Sequence, residues 1–261
     1  MSVVERPEPR RPRASIQGAL ALRSPLPALV ALALLAVPGR AQEREFTQSR
    51  DWHLPHAGEH EFELRSFFDT SHGDYRGQLE YEYGVTRHFA FEPGIEVQEN
   101  EDGNYEVEAA ELELRFNFGM YRRSAWLPAL NVEYEHPFDD EEADKVELEG
   151  VLSRYGLRDD FTVNLNYGRE IEDEHEDESQ LTAGWLHRFV DDDSEFEYDS
   201  SGVKLGFEAV QDFEDNHLRA GPLLVWRASR HFNLLVSYLP AIDDRGEGNF
   251  DELAVILEWE F

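Results

Sequence analysis

Carboxylates recur at every second position in several stretches of the sequence. Glu80 and Glu82 form one such pair, and Glu111 and Glu113 form another. Alternate residues of an extended strand share a face, so these side chains would line up in acidic rows. Charged rows around a pore select the ions that pass through it. The residue types therefore predict a surface that attracts cations.

Three histidines within eight residues suggest a second kind of chemistry. His53, His56 and His60 surround Glu59, and three imidazoles could bind Zn²⁺ or Cu²⁺ if the segment folded around them. Their spacing matches no standard site, and we expect this segment to be a flexible lead-in. We therefore predict no metal site and no cofactor, and we keep the three histidines only as candidate ligands.

The elements that must position these side chains are β-strands. Apolar residues recur with a period of two in about twelve stretches, as in Phe161, Val163 and Leu165, and no helical period competes. After residue 41, no hydrophobic stretch approaches the 18 residues of a spanning helix. The pattern predicts an all-β chain of about 12 strands, with 10–14 possible.

Two kinds of β-protein fit such a pattern. A soluble sandwich or lipocalin-like barrel would turn the apolar faces inward, whereas a transmembrane barrel would turn them outward. Aromatic residues cluster at strand ends, as with Tyr81 and Tyr83, and the opposite faces are densely charged. Aromatic girdles and a polar interior are typical of membrane barrels, in which closure leaves no unpaired edge in lipid. We therefore predict a closed antiparallel transmembrane β-barrel.

Residues 253–261 form a two-faced strand that reaches the last residue. The apolar face consists of Leu253, Val255, Leu257, Trp259 and Phe261. This pattern resembles the C-terminal assembly signal of Gram-negative outer-membrane β-barrels. The resemblance implies a location in the cell outer membrane, contact with its lipid and lipopolysaccharide, and insertion by the barrel-assembly machinery.

The first 41 residues have the features of a signal peptide. An arginine-rich stretch precedes an apolar run over residues 26–37, and the small residues Gly39 and Ala41 follow. We predict a signal peptide over 1–41, a periplasmic N-terminal lead-in over 42–58 and the outer-membrane β-barrel over 59–261. The absence of cysteine from the sequence excludes a lipoprotein anchor and disulfides.

The chain is strongly acidic. Its formal net charge is −32, which becomes −36 when the six Arg and two Glu of residues 1–41 are removed. Binding to phosphate backbones needs a basic surface, so nucleic acid is not expected as a partner.

The strand phase assigns charged residues to the barrel interior. The first six strands supply an acidic wall, and strands seven to eleven supply a neutral to basic one. The candidate lumen-lining residues are Glu80, Glu82, Glu96, Glu106, Glu111, Glu113, Arg115, Glu133, Glu147, Lys204, Arg219 and Arg227. One interpretation is a pore that favours cations or polarised small solutes. The other is an ion-pair network across a closed, water-poor lumen.

The connections between strands fall into two classes. Short basic ones, such as 86–88 and 121–123, are expected on the periplasmic side, and acidic ones, such as 139–144 and 170–178, on the outside. The connection over 191–201 breaks this rule, because it is long and acidic yet falls on the periplasmic side.

Residues typical of a catalytic site are not found. Ser71-His72 lies in a loop without a following Ser-Asn-Gly, and Ser237 has no evident partner. We predict that the chain is not an enzyme.

Two stretches carry a resemblance to a family. Gly73-Asp74-Tyr75-Arg76 leads into residues 79–86, and Gly221-Pro222 leads through 229–232 to Tyr238. Both resemble the strand–turn unit of outer-membrane transporters associated with the phenol meta-cleavage pathway. The resemblance implies a small transporter-like barrel and transfers no functional residue. We expect a passive channel or transporter for small solutes that favours cations; the alternative is a non-conducting structural or adhesion barrel that uses acidic extracellular loops.

Overall fold

The computed structural model of the chain describes residues 45–99, 104–122, 125–139, 142–171, 177–189, 202–214, 216–229, 231–242 and 251–261. The predicted signal peptide, the 191–201 connection and parts of the acidic loops lie outside these ranges. Among the described residues, no helix is long and apolar enough to cross a membrane.

Twelve strands form a closed antiparallel barrel, which confirms the predicted fold class. They are β1 (His60–Asp69), β2 (Tyr75–Thr86), β3 (Phe89–Glu99), β4 (Tyr105–Asn117), β5 (Trp126–Pro137), β6 (Lys145–Tyr155), β7 (Asp159–Glu170), β8 (Asp177–Arg188), β9 (Gly202–Asp212), β10 (Leu218–Ser229), β11 (Phe232–Leu239) and β12 (Glu252–Glu260). Each strand pairs with its neighbours in sequence, and β12 pairs with β1. Closure satisfies the backbone of every strand, as a barrel in lipid requires.

The side chains alternate between a polar interior and an apolar exterior. On β7, Leu165 is 56% exposed on the outside while its neighbour Asn164 is 1% exposed. On β9, Phe207 is 47% exposed and Glu208 is fully buried. An apolar outer face is the arrangement of a membrane barrel rather than that of a soluble β-protein.

A β-bulge in β4 keeps this alternation in phase. The register against β3 passes from Glu96–Ala109 to Val97–Val107, so that Glu108 is the extra residue. Along the sequence, the apolar residues change phase from Tyr105 and Val107 to Ala110 and Leu112. The bulge explains this change, because one extra residue returns the apolar side chains to the outer face.

The two ends of the barrel are named here by the chain termini. The proximal end is where β1 begins and β12 ends, and the distal end is the opposite one. At the proximal end, the Phe261 amide donates to the His60 carbonyl at 3.0 Å, and the Phe261 ring stacks on His60 and Phe62. On β12 the apolar face from Leu253 to Trp259 is half-exposed, and the residues between are buried.

Candidate functional site

A stretch of chain preceding β1 lies inside the barrel. Residues 45–55, called the internal segment here, are buried with the exception of the half-buried Gln48. Their side chains and backbone contact inward residues of many strands, among them Glu92 on β3, Thr182 on β8 and Ser237 on β11. The sequence pattern had suggested a flexible periplasmic lead-in. That expectation is wrong for these residues, because the polar wall gives them hydrogen-bond partners inside the lumen.

The internal segment begins near the proximal end, extends towards the distal end as far as Gln48 and then returns. At its start, Glu45 contacts Lys204 and lies 3.7 Å from Arg188, both near the proximal end of the wall. At its highest point, the Gln48 amide donates to Glu252 at 2.6 Å. Trp52 then lies at the proximal end again, where its indole N–H donates to the Phe118 carbonyl at 3.2 Å.

Two aromatic side chains anchor the segment in apolar parts of the wall. Phe46 is fully buried against the inward residues Leu186, Leu223, Val225, Leu235 and Ile256. Trp52 packs in a second cluster with Leu127, Ala129, Val151 and Tyr155. Burial of a large aromatic side chain contributes a few kcal/mol, so these contacts hold the segment at two points.

A glycine in the wall makes room for the first anchor. A Cβ atom at Gly184 would lie 2.3 Å from Cδ1 of Phe46. No real Cβ atom lies that close to another heavy atom, so β8 needs a residue without a side chain at this point.

The backbone of the segment is held by wall side chains. The carboxylate of Glu208 accepts hydrogen bonds from the amides of Thr47, Gln48 and Ser49 at 3.0–3.3 Å. The Arg50 carbonyl accepts from Thr162 Oγ1 and Asn164 Nδ2, both at 3.0 Å. A carboxylate bound by three consecutive amides is a strong, charge-assisted arrangement.

Arg50 lies at the centre of a buried ion-pair network. Its guanidinium nitrogen is 2.6 Å from Glu113, 2.7 Å from Glu92 and 3.7 Å from Glu80. Two wall arginines extend the network: Arg65 lies 2.8 Å from Glu80 and also contacts Glu63, and Arg115 lies 2.7 Å from Glu82. The segment thus supplies a cation where the wall alone is rich in carboxylates.

Above the segment, the distal half of the lumen contains an acidic cavity of about 290 Å³. Thr47, Gln48 and Arg50 contribute to its lining from the segment side. The described lining includes ten carboxylates against five cationic side chains. The carboxylates are those of Glu96, Glu111, Glu113, Glu133, Glu135, Glu147, Glu149, Glu178, Asp212 and Glu252, and the cations are Arg50, Arg65, Arg76, Lys145 and Arg219. Carboxylates therefore outnumber cationic groups two to one in the described lining of the cavity.

The structure distributes the predicted lumen residues over several parts of the barrel interior. Glu80, Glu82, Glu113 and Arg115 belong to the network around Arg50. Glu96, Glu111, Glu113, Glu133, Glu147 and Arg219 line the distal cavity. Lys204 contacts Glu45 of the internal segment, and Arg227 is buried in the wall of β10.

Glu106 differs from the other candidates. It pairs with Gln98 beyond the bulge and is exposed near the distal end, outside the lining of the cavity. The bulge at Glu108 separates this stretch of β4 from the inward row that continues from Ala109 to Glu113.

The three histidines are not brought together. His53 is buried against Tyr155, with ring centroids 4.3 Å apart, whereas His56 is exposed and His60 packs on Phe261. Among the described residues, the groups whose ligand atoms approach closely enough for a metal ion consist of glutamates alone. They are Glu61, Glu63 and Glu258, and Glu111, Glu133 and Glu135.

Sequence reasoning missed the internal segment, although the wall carries a signal for it. Inward positions of a water-filled lumen should be polar, yet Leu186, Leu223, Leu235 and Ile256 point inward and are buried. Apolar residues on both faces of the same strands indicate an apolar object inside the barrel, here Phe46.

Comparison with known proteins supports the fold. No protein-family model matches the sequence, and no curated protein does either. Among solved structures, the KdgM porin in complex with disordered oligogalacturonate aligns at a TM-score of 0.53 with 11% identity, over 77% of this chain and 99% of that one. The NanC porin aligns at a TM-score of 0.52 with 8% identity, over 77% of this chain and 98% of that one. The COG4313 outer-membrane channel from Pseudomonas putida F1 aligns at a TM-score of 0.50 with 12% identity, over 83% of this chain and 100% of that one.

These similarities show a fold shared with outer-membrane porins and channels. The assignment to transporters of the phenol meta-cleavage pathway is not shown by any of them. At 8–12% identity, functional residues do not transfer from these proteins to this chain.

Proposed function

We propose that this protein is a channel of the Gram-negative outer membrane for small solutes, with a preference for cations, in which the internal segment blocks the proximal half of the lumen at rest. The observation that carries the proposal is the charge of the distal cavity, where ten carboxylates face five cationic groups. A solute entering from the distal end meets this negative potential first.

Passage through the proximal half requires the internal segment to move. Phe46 and Trp52 fill the lumen at two points, and Arg50 is bonded to carboxylates on β3 and β4. The fold allows such movement, because residues 45–55 contribute no strand to the barrel and the closed ring of β1 to β12 is complete without them. The segment would therefore act as a gate on a preformed pore.

The same contacts favour a second candidate function. A segment held by buried aromatics, three amide bonds to Glu208 and an ion-pair network would also suit a barrel that never conducts. Such a barrel would act through its outer surface and its acidic loops.

Conductance in planar bilayers separates the two functions. Purified full-length protein is compared with a variant that lacks residues 45–55, in symmetric KCl and in a KCl gradient. A channel predicts brief or small currents from the full-length protein and large, steady currents from the variant. It also predicts a reversal potential of the sign that cation selectivity requires.

Correct folding of the variant is checked by its heat-modifiable migration on a gel and its β-sheet circular dichroism. Absence of current from a correctly folded variant would refute the channel and leave the structural barrel. A reversal potential of the anion-selective sign would refute the cation preference alone.

A further inference from the structure

The barrel wall holds the internal segment in the way that a binding site holds a peptide. Side chains of the wall bind the backbone of the segment, which pairs with no strand. Glu208 accepts hydrogen bonds from three consecutive amides, those of residues 47–49. Thr162 and Asn164 donate to the carbonyl of Arg50. Every peptide has such backbone groups, so this part of the recognition does not depend on the side chains of the segment.

Three side chains of the segment add specificity. Phe46 fills an apolar pocket beside Gly184, and Trp52 fills a second apolar pocket. Arg50 lies between them in the sequence, and its guanidinium contacts carboxylates on β2, β3 and β4. The wall therefore fits an aromatic residue, an arginine four positions later and a second aromatic residue two positions after that.

Release of the segment would leave this wall without its partners. Glu80 and Glu92 would each keep a wall arginine, but Arg50 is the only described cation within 4 Å of Glu113. Glu208 would lose three hydrogen bonds, and five buried apolar residues would meet water: Leu186, Leu223, Val225, Leu235 and Ile256. Each of these changes is unfavourable. A ligand that restored the lost contacts would stabilise the released state.

We propose that the wall of the proximal lumen, once the internal segment is released, binds a short peptide that carries an arginine between two aromatic residues. The segment occupies this site at rest in place of such a peptide. This inference rests on the proposed function, which requires the segment to leave the lumen, and it names the class of ligand that the released state would hold.

The distal cavity adjoins the arginine position of this site. Arg50 and Glu113 both line the cavity, and they lie 2.6 Å from each other. An arginine that reaches Glu113 from the cavity would compete with Arg50 for the same carboxylate. A second guanidinium can make the same planar, multiple contacts, whereas an uncharged side chain cannot.

Peptide binding to the full-length chain tests the site. A tethered segment competes at a high effective concentration, so the chain used is Phe46→Ala, which weakens the segment and leaves the wall intact. Detergent-purified protein is titrated calorimetrically with three synthetic peptides whose ends are blocked. The first has the sequence of residues 45–55, and the second has citrulline, an uncharged analogue, in place of the arginine. The third keeps only the phenylalanine, arginine and tryptophan and has alanine elsewhere.

We expect the first and third peptides to bind and the citrulline peptide to bind roughly tenfold more weakly, because a buried ion pair is lost. Adding Gly184→Val to the Phe46→Ala chain should weaken binding of the first peptide by a similar factor, because the valine blocks the phenylalanine pocket. Gly150→Val is the matched control, and it should leave binding unchanged.

Cysteine labelling shows whether the peptide replaces the segment. Ser49 of the segment and Thr182 of the wall are in contact and buried. Each is changed to cysteine separately in the Phe46→Ala chain and treated with a small methanethiosulfonate reagent. The peptide should speed labelling of Ser49→Cys, because the segment is displaced, and slow labelling of Thr182→Cys, because the peptide covers the wall. General loosening of the barrel would speed both.

Several outcomes would overturn the proposal. Absence of binding would do so, as would equal binding of the citrulline peptide or faster labelling of both cysteines. Binding of the first peptide without the third would mean that the wall fits only its own segment. If Phe46→Ala does not fold, Trp52→Ala replaces it with the same peptides. Because none of these measurements uses current, a barrel that binds the peptides but never conducts would refute the channel alone, and a conducting barrel that binds none would refute this site alone.

Discussion

The proximal and distal halves of the lumen both have inward carboxylates but differ in what fills them. In the proximal half, the internal segment supplies Arg50 and backbone amides to Glu92, Glu113 and Glu208. In the distal half, carboxylates outnumber cations two to one around an open cavity. The acidic wall therefore has two different surroundings in one barrel: in the proximal half it binds the internal segment, and in the distal half it lines a cavity with an excess of carboxylates.

The largest effect is expected from removing the charge of Arg50. Arg50→Met leaves three buried carboxylates without their shared cation, which should cost about 3–5 kcal/mol of stability or release the segment. Urea unfolding followed by tryptophan fluorescence measures the loss of stability. Chymotrypsin cleavage at Trp52 measures the release of the segment.

Arg50→Lys is the matched control for that experiment. It keeps the charge but loses the planar guanidinium that contacts several carboxylates at once, so a smaller loss is expected. If Arg50→Met were as stable and as resistant to chymotrypsin as the wild type, the ion-pair network would not hold the segment, and the contrast between the two halves would lose its electrostatic basis.

A smaller effect is expected from a steric change in the wall. Gly184→Val introduces side-chain atoms where a Cβ alone would lie 2.3 Å from Phe46, so Phe46 must leave its pocket. We expect increased trypsin cleavage after Arg50 and an increase in bilayer current, because the segment would no longer fill the proximal half of the lumen.

Gly150→Val provides the control for this change. The nearest atom to a Cβ at Gly150 is a backbone oxygen 4.0 Å away, so the same substitution meets no obstacle there. If trypsin cleaves after Arg50 equally slowly in Gly184→Val and Gly150→Val, Phe46 does not anchor the segment.

A reversible covalent bond tests whether the segment moves at all. Ser49 Oγ lies 2.9 Å from Thr182 Oγ1, and the sequence contains no cysteine. The variant Ser49→Cys with Thr182→Cys can therefore form a single disulfide between segment and wall. We expect its oxidised form to lose the residual current of the wild type and to regain it on reduction.

Each single cysteine variant serves as the control, because neither can form the bond within one chain. Oxidised protein that conducts as well as reduced protein would mean that solutes pass without displacement of this part of the segment, and the proximal half would not be a gate.

The strands were predictable from the sequence because each carries its own evidence. In β7, the alternation of Phe161, Val163 and Leu165 with polar residues fixes both the strand and its orientation in the sheet, and twelve such strands leave closure as the natural arrangement. The bulge was predictable for the same reason, since the phase changes at Ala109 and Ala110 and the structure places the extra residue next to them.

The internal segment was not predictable in the same way. Its apolar residues have no regular spacing, because the segment does not pair as a β-strand. Its hydrogen-bond partners lie on strands more than 100 residues away in the sequence, as in the bonds from Thr47 to Glu208 and from Trp52 to Ser153. A histidine-containing polar stretch before the first strand looks like a linker. Only the apolar inward residues, such as Leu223 and Ile256, indicated that something apolar lay inside.

The smallest effect is expected in the distal half, where single charges act through water. Glu133→Gln with Glu135→Gln removes two of the ten carboxylates around the cavity, both of which belong to the converging group with Glu111. Salt partly screens charges on a cavity wall that is open to water, so we expect a reduced cation preference rather than its loss. Glu106→Gln is the control, because that carboxylate is exposed near the distal end of β4 and lies outside the cavity lining. The reversal potential in a KCl gradient, measured in the background that lacks residues 45–55, should move towards zero in the double variant, most clearly at low salt, and stay unchanged in Glu106→Gln. Equal shifts in both would mean that the net charge of the distal end determines selectivity, and the cavity would then have no special role.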